Sequence, residues 1–239
     1  MKSPTVLRTN AAIVNQFLSI IRYSLEEGET LAGRSILDCG AGGPVPPVAI
    51  FAEQGMEAHG IEIDKRQLEH AREFARTHDL NLDLKLGDMR SWPYDDERFD
   101  YVYEHYSICH LTADETKATL DEFRRVLKPG GKALFGVISK DSWPQSIFGQ
   151  RADGTSVHHG MFSDAEANQL VEDWEILLRE KVVRILTQEA AALSESEWME
   201  LHAEAPRACS AATWKDCYAH RTDYFTYVHS FYYLRKPQT

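Results

Sequence analysis

Four short stretches of this 239-residue sequence hold residue types that could do chemistry together. The first is Asp38-Cys39-Gly40-Ala41-Gly42-Gly43-Pro44. A glycine turn between a strand and a helix lets backbone approach a ligand closely, because no Cβ intervenes. The helix start beyond it offers free N–H groups and partial positive charge. Such a turn alone is equally a plain strand-to-helix connection. Glu62 adds to it, because it lies about 20 residues further on, at the end of the next apolar run, where an acid grips both hydroxyls of a ribose. A neutral side chain accepts two vicinal hydroxyls less well than a carboxylate does. Asp88 and Glu104 then close two later runs. A dinucleotide fold would want G-x-G-x-x-G, and the third glycine is absent, so the loop suits a ligand without a pyrophosphate.

His105 stands in the turn Glu104-His105-Tyr106-Ser107. It is the candidate general base, with Tyr106 shaping the pocket around it. The plainer alternative is a histidine satisfied by backbone. His110 is expected to be structural. His158 and His159 are adjacent and point apart, so even with Cys109 they suggest no metal. The four cysteines, Cys39, Cys109, Cys209 and Cys217, form no CxxC pair and match no zinc spacing. Reduced thiols are the simplest reading, and no metal site is expected.

These residues need a frame that brings strand ends to one rim. Residues 1–29 read as a helical lead-in, with Ile13, Phe17, Ile20, Ile21 and Leu25 at helical spacing. Strands are predicted at 35–39, 57–63, 82–86, 99–103 and 132–138, with helices at 48–54, 65–78 and 113–127 between them. Asp64 is the N-cap of the second of these helices. After a punctuated loop over 141–159, a helix at 163–173 starts on a capping box of Ser163 and Glu166. A sixth strand lies within 174–186, a helix at 194–204 follows, and a last strand covers 224–234. This alternation predicts an α/β, doubly wound, Rossmann-like sheet of seven mostly parallel strands with helices on both faces. The chain reads as one domain, with residues 188–222 inserted before the last strand. Trp198, Trp214, Tyr218 and Tyr224 make that insertion either a substrate lid or a segment with its own small core.

Hydrophobic residues make up 43% of the chain and charged ones 26%, with a formal net charge of −11. A nucleic-acid enzyme needs a basic footprint, and there is no dense Lys/Arg run. No apolar run approaches the ~18 residues needed to span a bilayer, and no secretory leader is evident. A soluble cytoplasmic protein acting on a small molecule is expected.

Ile36-Leu-Asp-Cys-Gly-Ala-Gly42 resembles the first motif of class I S-adenosylmethionine (SAM)-dependent methyltransferases. Gly60-Ile-Glu-Ile-Asp64 resembles the acidic second motif and Leu86-Gly-Asp-Met89 the third. Phe99-Asp-Tyr-Val102 and Arg125-Val-Leu-Lys-Pro-Gly-Gly131 are similar to the fourth strand and the turn into the fifth. The resemblance implies SAM as cofactor and S-adenosylhomocysteine (SAH) as product. It implies that Asp38, Gly40, Ala41 and Gly42 surround the methionine end. By the same resemblance Glu62 holds the ribose and Ile63 packs on the adenine. Asp88 and Met89 would read the adenine edge, and Glu104 would lie close to the amino-acid moiety. Pro44 departs from the family, which has a small residue there. The Asn-Pro-Pro-Tyr type of motif of nucleic-acid and amide methylating enzymes is missing after the fourth strand. The reading is methyl transfer to a small molecule. The alternatives are a non-catalytic SAM-binding scaffold or an aminopropyl transferase.

Overall fold

A computed structural model describes residues 12–26, 29–142, 160–185, 192–203, 215, 218–219 and 226–238. The strands are β1 (Ser35–Cys39), β2 (Glu57–Glu62), β3 (Leu82–Leu86), β4 (Phe99–Tyr103), β5 (Leu127–Ser139), β6 (Met161–Phe162), β7 (Glu175–Ile185) and β8 (Thr226–Arg235). They form one sheet in the order β3-β2-β1-β4-β5-β8-β7, with the two-residue β6 paired beside β5. The pairs from β3 to β5 are parallel, and β8 runs antiparallel to both β5 and β7. Seven strands make the continuous path, as expected, and β6 is an addition. Strand order reverses between β1 and β4, which is where an open α/β sheet leaves a ligand crevice.

β1 is buried at all five positions because both faces of the sheet are covered. Helices α1 (Ala12–Tyr23), α2 (Ala49–Ala52) and α3 (Lys65–Thr77) cover one face. There Phe17 and Phe51 pack on Tyr103, at ring centroids of 6.2 and 5.3 Å. Helices α4 (Ala113–Val126) and α5 (Asp164–Leu170) cover the other, where Leu120, Phe123 and Ala167 join Leu37, Val102 and Phe135. Asp64 caps α3 by accepting from Arg66 and Gln67 N–H, and Ser163 with Glu166 forms the expected capping box on α5.

Two of the boundaries that differ from the sequence reading have a clear local cause. α2 is only four residues long: it opens on i→i−3 links such as Ala49 N–H to the Pro46 carbonyl, closes on further ones from Gln54 and Gly55, and Gly55, with a left-handed φ of 77°, turns the chain away. β5 starts at Leu127 rather than after the Pro-Gly-Gly turn. Phe99 pairs with Leu127 and Tyr101 with Lys132, so the turn is looped out as a bulge within the strand. Gly130 supplies the left-handed φ of 74° that the bulge requires.

Helix α6 (Glu195–Ala203) falls in the expected insertion. Its Trp198 is buried and packs on Tyr218 at 6.2 Å. Residues 1–11, Trp143, Phe148, His158, His159, Trp214, Tyr224 and most of 188–222 lie outside the described residues.

Candidate functional site

The glycine loop is built against β2. Gly40 and Ala41 N–H both donate to the Ile61 carbonyl, at 2.9 and 3.0 Å, and Gly43 N–H donates to the Gln67 carbonyl at 2.9 Å. Gly40 (φ 114°) and Gly43 (φ 103°) adopt conformations that L side chains rarely take. A Cβ on Gly42 would overlap Oε2 of Glu62 and lie 2.7 Å from its Cδ. A Cβ on Gly40 would overlap the Ser107 hydroxyl. The loop therefore touches the end of β2 on one side and the turn after β4 on the other, and only glycine allows both approaches.

Glu62 accepts the Asp64 N–H on Oε1 at 2.8 Å, and its Oε2 faces Gly42. Ile63 beside it is 65% exposed, an unusual setting for isoleucine. Leu86 at the end of β3 and Val45 after the loop are exposed too, so three apolar side chains stand at neighbouring strand ends. Asp88 is gripped by Arg90, whose Nε and Nη2 reach both carboxylate oxygens, and Arg90 also meets Glu115 at 2.6 Å. The Arg90 guanidinium holds the Asp88 carboxyl below the usual carboxylate range. Met89 packs against the core and its carbonyl accepts from the Trp92 indole N–H.

Asp38 is buried, and its Oδ2 accepts the Tyr103 hydroxyl at 2.6 Å. Its Oδ1 has no hydrogen-bond partner among the described residues; the Val48 N–H favours the charge without reaching bonding geometry. Burial pushes this carboxyl up to about 7, the Tyr103 hydroxyl opposes the rise, and the charges of Glu104 and Glu62 add to it.

Glu104 is fully buried. Its Oε2 accepts the N–H of Ser107 (2.8 Å) and Ile108 (3.1 Å), and its Oε1 accepts that of Gly136 on β5 (2.6 Å). Burial pushes it up to about 7 while these three donors pull back. The side chain is thus committed to backbone, and what it offers the rim is the turn it holds. His105 is half-buried with its ring 4.3 Å from that of Tyr106. His110 is exposed at the end of a single 3₁₀ turn.

The structure thus brings Asp38, Gly40, Ala41, Gly42, Glu62 and the turn carrying Glu104 and His105 to one rim, with Ile63, Asp88 and Met89 along its β2–β3 side. Sequence reasoning missed Tyr103 as the partner of Asp38, Ser107 as the neighbour of Gly40, and Arg90 as the clamp on Asp88. Of these, only Arg90, two residues from its acid, carried a local signal. Among the described residues, no group of three or more His, Cys, Asp or Glu side chains could hold a metal. Cys39 and Cys109 are free and buried, and burial pushes both thiols up.

Residues 36–131 match the family model of a methyltransferase domain. The sterol 24-C-methyltransferase ERG6B of Gibberella zeae is 37% identical over 109 residues, 44% of this chain and 27% of that protein. The methyltransferase GfsG of Streptomyces halstedii is 30% identical over 115 residues, 47% of this chain and 41% of its own length. The ubiquinone biosynthesis O-methyltransferase of Coxiella burnetii is 26% identical over 117 residues, 49% of each chain. The chain thus spans between 27% and 49% of the length of these relatives. In fold it is similar to a SAM-dependent methyltransferase from Methanosarcina mazei, with a TM-score of 0.63 at 16% identity over 92% of this chain and 98% of that one. It is likewise similar to the [4+2]-cyclase SpnF, with a TM-score of 0.65 at 19% identity over 100% of this chain and 86% of that one. With the glycine loop, the strand-end acids and the reversal between β1 and β4 already in place, these matches show that residues 36–131 form a methyltransferase domain, similar in sequence to known methyltransferases and in fold to a SAM-dependent one.

Proposed function

We propose that this chain transfers a methyl group from SAM to a small-molecule acceptor and releases SAH. The observation that carries the reading is the cradle in which Gly42 lies against the carboxylate of Glu62, leaving no room for a Cβ. The Oδ1 of buried Asp38, which has no partner among the described residues, also fits a cationic ligand. SAM, when bound, supplies a sulfonium methyl, a strong electrophile whose transfer needs alignment more than acid–base help.

The chain's own residues align it. Glu62 takes the ribose hydroxyls on the oxygen left free by Asp64. Ile63 covers the adenine, and Asp88 with the Met89 N–H reads its edge, the Asp88 carboxylate being fixed and kept ionised by Arg90. Asp38, Gly40, Ala41 and Gly42 shape the methionine end. Glu104 serves that end through the turn it holds. His105 takes the proton of an acceptor hydroxyl or ammonium onto an imidazole nitrogen.

We read residues 1–239 as one such domain, with 188–222 as an insertion before the last strand. The net charge of −11 supports a small molecule rather than nucleic acid as acceptor, and the unpaired buried thiols of Cys39 and Cys109 support a cytoplasmic setting. No helix among the described residues is long and apolar enough to cross a membrane. The test is incubation with methyl-labelled SAM and a panel of small acceptors. Labelled product supports methyl transfer. Tight SAH binding with no acceptor methylated points instead to a SAM-binding scaffold.

A further inference from the structure

We propose that Tyr106 is the working face of an acceptor subsite that takes a neutral small molecule with a flat, apolar surface. This rests on the methyltransferase reading above, since it places the acceptor beside the turn after β4.

Tyr106 has a φ of 63°, a left-handed conformation that is unfavourable for a bulky aromatic. The fold imposes it. The Glu104 carboxylate holds the two N–H groups that follow, those of Ser107 and Ile108. The Cys109 thiol donates to the Tyr106 carbonyl at 3.2 Å. A glycine or asparagine would make this turn with less strain, and a tyrosine needed only to fill the core would not require a strained backbone. Strain held in place by the surroundings, at the strand ends where a ligand sits, is a mark of a working position.

The ring itself is half-buried and backed by aromatics. It meets His229 at 4.8 Å and Phe231 at 5.6 Å, both nearly perpendicular, and His229 stacks on Phe231 at 4.5 Å. Both backing residues are fully buried on β8. They fit because Gly136 on β5 has no side chain: a Cβ there would lie 2.6 Å from the Phe231 ring and 2.8 Å from His229 Nε2. The result is a rigid aromatic wall that suits the face or edge of a neutral ring.

The charges nearby select against anions. Asp38 and Glu104 lie buried beneath the turn. Of the described basic side chains near the rim, Arg90 is paired with Asp88 and Glu115, and Lys140 with Glu166. A phosphate or carboxylate on the acceptor would find both of these cations already engaged.

The test uses the full chain, saturation-transfer NMR and two probes, neutral naphthol and anionic phosphoethanolamine, each with and without saturating SAH. Tyr106→Gly removes the ring while suiting the positive φ; Tyr106→Phe keeps the ring. The expected result is naphthol binding to the wild type and to Tyr106→Phe, weakened about tenfold or more in Tyr106→Gly, with no binding of phosphoethanolamine. Naphthol bound equally by Tyr106→Gly, naphthol not bound by the wild type, or phosphoethanolamine bound as well as naphthol would each overturn the proposal. SAH titrated into the same three proteins separates the two readings. Unchanged SAH affinity in Tyr106→Gly confines the defect to the acceptor side, whereas a wild type that binds naphthol but not SAH contradicts the methyltransferase reading and leaves the wall standing.

Discussion

Gly42 sits so close to Glu62 that a single methyl group on it would displace the carboxylate, lying 2.7 Å from Cδ and 2.8 Å from Cβ of Gln67. If that carboxylate holds the ribose, the two residues form one unit. Glu62→Ala should then weaken SAH by about 1.5–3 kcal/mol, the worth of a hydrogen bond to a charged group. Gly42→Ala should weaken it too, by pushing the same group aside. Combining them should cost less than the sum, with a coupling of about 0.5–3 kcal/mol in a double-mutant cycle. Strict additivity would separate the glycine from the acid.

A second prediction concerns packing beneath the loop. Gly60 is buried where a Cβ would overlap that of Ala41 and lie 2.8 Å from Leu84 Cδ2. Gly60→Ala should destabilise the chain by about 1–3 kcal/mol through overpacking, read from urea unfolding midpoints. An unchanged midpoint would mean that β1 and β3 can move apart here.

Asp38 gives a pH dependence with a definite sign. Its folded-state pKa is raised to about 7 by burial, whereas an unfolded aspartate titrates at about 4. Between these values the native state holds the proton that the unfolded chain has released, so this group's contribution is full at low pH and is lost as pH rises to about 7. Asp38→Asn, which still offers an acceptor to Tyr103, should make the fall in stability between about pH 5 and 7.5 shallower. Chemical unfolding across that range checks it, and an unaltered slope would show that Asp38 is ionised throughout.

His105 is testable once an acceptor with a hydroxyl or ammonium is in hand. His105→Ala should lower kcat by about 10²–10⁴, the usual contribution of a general base, with SAH affinity unchanged. Full turnover would leave His105 as a wall residue beside Tyr106.

The sheet was legible in the sequence because its signals are local. The runs at 35–39, 82–86 and 99–103 end where β1, β3 and β4 end, and Asp64 caps α3 as its residue type suggests. What was not legible depends on direction or distance. An acid at a strand end looks the same whether it stays at the rim, as Glu62 does against the glycine loop, or turns inward to three backbone donors, as Glu104 does. The contact between Tyr106 and His229 joins parts of the chain that no local pattern relates. The Pro-Gly-Gly turn read as the end of a connection, but pairing of Leu127 with Phe99 makes it a bulge inside β5.

Calorimetric titration of the full chain with SAH, beside Glu62→Ala, tests the central claim most directly. The account predicts saturable binding to the wild type and a clear loss of affinity in the variant. No binding of either SAH or SAM to the folded wild type, or equal affinity in Glu62→Ala, would contradict it.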